Sequence, residues 1–66
     1  MSGKLVVVTR MTSNNTTYQL ALQATNILEV TEIEGKAECW LKYWEAGEVR
    51  NMRIVGRVSD VVRQVN

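Results

Sequence analysis

Apolar and polar positions alternate along most of this chain, and the period changes only near its C-terminus. "LVVVTR" is a β-branched run that predicts a first strand near 4–10. "TYQLALQ" predicts a second at 17–23, with Tyr18, Leu20 and Leu22 on one face and Gln19, Ala21 and Gln23 on the other. Between them "MTSNNT" supplies Asn14 and Asn15, residues that tolerate the left-handed conformation of a tight hairpin. "ILEVTEIEG" predicts a strand at 27–33, with Leu28 and Val30 facing one way and Ile27 and Ile33 the other, then a turn at Glu34–Gly35–Lys36. "AECWLKYW" and "VRNMRIVG" predict strands near 37–44 and 49–55 around "EAGE".

In the tail, Val58, Val61, Val62 and Val65 follow the spacing i, i+3, i+4, i+7 of a helix face. The spacing predicts a helix near 59–65, with Ser59 as N-cap and Asp60 in the first turn. Valine is a mediocre helix former, so two turns of such a helix depend on docking against the sheet. The order β-β-β-β-β-α with short connections gives a single α+β domain over 1–66. Its sheet is five-stranded and mostly antiparallel, open or partly closed into a barrel.

The last hairpin fixes its own register. A two-residue loop at Ala46–Gly47 sets Glu45 opposite Glu48, Tyr43 opposite Arg50, Leu41 opposite Met52 and Cys39 opposite Ile54. A four-residue loop keeps the same pairing. A three-residue loop sets Lys42 opposite Arg50 and Leu41 opposite Asn51. Each such mismatch costs about 0.2–1 kcal/mol, so the even loop is preferred. Cys39, Leu41, Met52 and Ile54 then form one apolar face bordered by Tyr43. The other carries Trp40 across from Arg53, placed for a cation–π contact, and Trp44 across from Val49.

Neither face of that hairpin is polar. In the first strand Val6 and Val8 lie opposite Leu5 and Val7, so it too is apolar on both sides. Strands of this kind normally lie between two layers. A chain of 66 residues can hardly build two layers around five strands. The expected solution is a homo-oligomer, a dimer first, that covers Trp40, Trp44, Val49, Arg53, Val6 and Val8, with another protein partner as the alternative occupant.

Composition narrows the chemistry. One cysteine and no histidine leave no intramolecular disulfide, no structural zinc set and no Ser–His or Cys–His nucleophile pair within the chain. Cys39 sits on the expected core face, where a small buried hydrophobe is the simpler role. The glycines are too dispersed to cradle a phosphate, and the glutamates show no catalytic pairing. The expectation is a protein that is not an enzyme and needs no cofactor or metal. No apolar run reaches the length of a signal-peptide core or a membrane span, so the chain reads as cytoplasmic, bacterial or phage-encoded.

The net charge of +1 hides a division. Six glutamates fall between Glu29 and Glu48, whereas Arg50, Arg53, Arg57 and Arg63 face only Asp60 in the following stretch. Cross-strand pairing accounts for this, and a nucleic-acid contact through Arg50, Arg53 and Arg57 is the alternative. Parity divides that alternative, because Arg50 and Tyr43 share one face while Arg53, Trp40 and Trp44 share the other.

Val8–Thr9–Arg10 closing a first strand, the Ile-Glu-rich stretch Ile27 to Glu32, and the closing helix "SDVVRQV" form a pattern that resembles the small flagellar proteins of the FlbD type. The resemblance spans most of the chain and implies a cytoplasmic, β-rich protein ending in an amphipathic helix. The chain departs from it in the longer "MTSNNTT" segment and in the tryptophan hairpin. Small phage and mobile-element proteins share the same size and texture.

Overall fold

A computed structural model describes residues 3–66. Five strands, a 3-10 turn and a helix follow in the order β1 (Leu5–Met11), β2 (Thr17–Gln23), η1 (Ala24–Asn26), β3 (Ile27–Glu32), β4 (Glu38–Glu45), β5 (Glu48–Val55) and α1 (Val58–Val65). All pairings are antiparallel, and the sheet order is β2-β1-β5-β4-β3.

Each hairpin is set by residues that accept a positive φ. Between β1 and β2, the Asn15 amide donates to the Thr12 carbonyl at 3.0 Å, and Asn15 itself sits at φ 62°. This is the left-handed position that asparagine occupies more readily than most residues. Between β4 and β5, Ala46 at φ 50° and Gly47 at φ 80° make the primed two-residue turn whose twist matches the strands it joins. The register is the one the even loop predicts, from Glu45 opposite Glu48 through Trp44–Val49, Tyr43–Arg50, Leu41–Met52 and Trp40–Arg53 to Cys39–Ile54.

The sheet is open, with β2 and β3 as its edges, yet it cannot be flat. In a flat sheet those two edges would stand about 19 Å apart, four strand spacings. Gln23 and Ile27 are joined through η1 alone, a link that reaches about 14 Å fully extended. The sheet therefore coils, and α1 lies in its hollow against β1 on one side and β3 on the other. Val6, Val8, Cys39, Leu41, Tyr43, Met52, Ile54 and Val61 are buried there, with Leu20, Leu22, Ile27, Val30 and Val58 packed around them.

Three expectations are corrected. Leu28 does not share a face with Val30: a β-bulge between Ile27 and Glu29 resets the parity, so Ile27 and Val30 both reach the core and Leu28 is exposed. The N-cap is Arg57 rather than Ser59; the Asp60 carboxylate accepts from the Arg57 amide at 3.0 Å, which holds the helix start one turn behind it. Val6 and Val8 are not available to a partner. They pair with Leu22 and Leu20 and are buried in the intramolecular core, while Leu5 and Val7 are the exposed members of β1.

Candidate functional site

The face that α1 leaves uncovered carries the candidate site. On β4 it presents Glu38, Trp40, Lys42 and Trp44, and on β5 Val49, Asn51, Arg53 and Val55. Trp40 and Trp44 are each 47% exposed and Val49 is 50% exposed, against 0% for Leu41 on the same strand. Trp44 and Val49 stand directly opposite each other at the hairpin tip, forming an apolar pair of the kind that contributes about 0.2–1 kcal/mol.

Charges on this face are matched across strands, diagonally for Arg53 and Glu38 and directly opposite for Lys42 and Glu29. The Arg53 guanidinium is held by Glu38 Oε1, which engages both its Nε and Nη2. Lys42 Nζ lies 3.2 Å from Glu29 Oε1 on the neighbouring strand. Arg53 is thus fixed beside Trp40 by a carboxylate. On the opposite face Arg50 pairs with Glu45 at 3.3 Å and Glu48 at 3.1 Å. Arg57 stands apart from both, at the start of the helix. The three arginines are therefore divided between two faces and a helix end.

The offset between β1 and β5 creates two further features. These strands pair only at Thr9–Val55 and Arg10–Ile54. Below that contact, β1 runs past the end of β5, and its Val7 main chain is met by a side chain instead of a strand. Gln64 Oε1 accepts from the Val7 amide at 2.9 Å, and Gln64 Nε2 donates to the Val7 carbonyl at 2.8 Å. Above the contact, Glu48–Arg53 of β5 have no strand beside them on that side among the described residues. An open cleft of about 440 Å³ lies there, lined by Arg10, Met11, Thr12, Ser13, Trp40, Asn51, Met52 and Arg53.

Cys39 is no candidate nucleophile. Its side chain is wholly buried, and burial first, then the Asp60 and Glu32 carboxylates, push its thiol above an ordinary value. The thiolate, the reactive form, is thereby disfavoured.

The alternation of apolar positions puts Trp40, Trp44, Val49 and Arg53 on one face, and the structure brings them together there. The alternation misses Val55, which joins that face, and Leu5 and Val7, which take the place given to Val6 and Val8. The signal for the latter pair was present in β2. Leu20 and Leu22 define its core side, and the hairpin register carries that side to Val8 and Val6. Gln64 had no such signal, since its role follows from the strand offset.

Among the described residues, no helix is long and apolar enough to cross a membrane. No protein-family model, no curated protein and no solved structure matches this chain.

Proposed function

We propose that this protein is a small, non-enzymatic interaction module that self-associates through the tryptophan-bearing face of its sheet. The observation that carries the reading is the exposure of Trp40 and Trp44 on the one sheet face that α1 leaves uncovered. Aromatic and Arg side chains are enriched at protein contacts, and here Val49, Val55 and Arg53 surround the two indoles. A domain this small gains from burying a second layer that its own chain is too short to supply. A dimer is the simplest assembly that does so.

We read the coiled sheet as a partly closed barrel and the protein as one that works in the cytoplasm. The FlbD-type resemblance supports that architecture more than it supports a flagellar role. Contact with a phosphate backbone through Arg50, Arg53 and Arg57 draws less support, because glutamates already hold Arg50 and Arg53.

Quenching of tryptophan emission by iodide, followed across a concentration series, tests the reading. Self-association through this face protects the indoles as concentration rises. Unchanged quenching up to high micromolar concentration would overturn it.

A further inference from the structure

Beyond contact across that face, we infer an edge contact in which a second copy's β5 adds to the free edge of this one, antiparallel and centred on Val49. A two-residue hairpin makes Glu45 and Glu48 a hydrogen-bonded pair, and such pairs recur at every second residue. The main-chain groups of Val49, Asn51 and Arg53 therefore point away from β4, toward the side where β1 is missing. An unpaired stretch of this kind is a template for another strand. The corresponding gap on β1 is already filled by Gln64, so of the two gaps left by the strand offset the one on β5 stands open among the described residues.

Of the twofold registers centred on Val49, Arg50 and Asn51, the latter two fail. Centring on Arg50 sets two guanidinium groups face to face. Centring on Asn51 drives the second copy's turn to the level of Val55 and Ile54, where β1 is already paired. Centring on Val49 avoids both.

In that register the two Val49 residues exchange main-chain hydrogen bonds on the symmetry axis. Each Glu48 faces the second copy's Arg50, a pairing of opposite charges. The second copy's turn at Ala46–Gly47 arrives at the cleft beside Asn51 and Met52. That turn is flanked by Glu45 and Glu48, and the cleft it meets is lined by Arg10, whose guanidinium donates to the Tyr18 hydroxyl. On the tryptophan face, Trp44, Val49 and the second copy's Val49 and Trp44 form one continuous apolar row.

Disulfide trapping and an edge-blocking variant test this. Val49→Cys is expected to form a covalent dimer under mild oxidation, whereas Asn51→Cys is not; Cys39 is buried and stays unreacted. Val49→Pro removes an amide that points away from β4 and has no partner among the described residues. It is expected to weaken association at least tenfold while circular dichroism stays that of the folded chain. Glu48→Arg and Arg50→Glu each weaken association, and the double exchange restores it. A wild-type dimer that Val49→Pro leaves intact, with no Val49→Cys cross-link, overturns this register but not self-association through the tryptophans. A wild-type chain that stays monomeric overturns both.

Discussion

Leu41 and Trp44 lie three positions apart on one strand and meet opposite surroundings. Leu41 is sealed between the sheet and α1, while Trp44 stands half in solvent beside Val49. Both belong to alternating apolar sets, so alternation alone does not tell the two faces apart. What separates them is a helix of eight residues that can cover one side of five strands and no more. The lesson is that a chain this short makes one intramolecular core and leaves its second apolar face uncovered by its own residues.

The largest effects should come from attacking the covered side. Leu41→Ala is expected to remove about 2–5 kcal/mol. That is a large share of the roughly 3–10 kcal/mol available to a domain of this size, and urea unfolding measures it. Trp44→Ser should change the stability of the single chain by less than about 1 kcal/mol, the scale of one cross-strand pair. Its main effect should be on association. If the two substitutions destabilise the monomer equally, the distinction between the faces is lost.

A smaller effect sharpens the comparison at the sheet edges. Gln64→Ala strips the Val7 amide and carbonyl of their partners. The expected loss is about 1–2 kcal/mol for two hydrogen bonds near the surface. Hydrogen exchange at the Val7 amide should accelerate with it. Exchange that stays slow would mean that the β1 gap is closed by something other than Gln64.

The smallest change is a gain. Ala46 holds a left-handed conformation that costs an alanine about 1 kcal/mol. Ala46→Asn installs the Asn-Gly pair preferred in this turn and should raise the unfolding midpoint without altering association. A fall in the midpoint would indicate that the turn has a different geometry.

Much of this fold was legible because local chemistry decided it. The β4–β5 register followed from keeping Leu41 opposite Met52 and Lys42 away from Arg50, and the helix from the valine spacing. What escaped depended on contacts remote in sequence. The bulge at Leu28 is invisible in "ILEV", since an extra residue changes parity without changing composition. The helix start moved because Asp60 caps Arg57 from within the first turn. Val6 and Val8 were misplaced because four apolar residues in a row carry no indication of which pair faces inward. Their pairing with Leu22 and Leu20 decides it. Gln64 acts on Val7, fifty-seven positions away.

The central claim is that the uncovered tryptophan face joins two chains, and light scattering across a concentration series tests it most directly. The account predicts a mass that rises toward twice that of the single chain at high micromolar concentration, and that Trp44→Ser lowers at the same concentration. A single-chain mass throughout, in the wild type as in the variant, would contradict it.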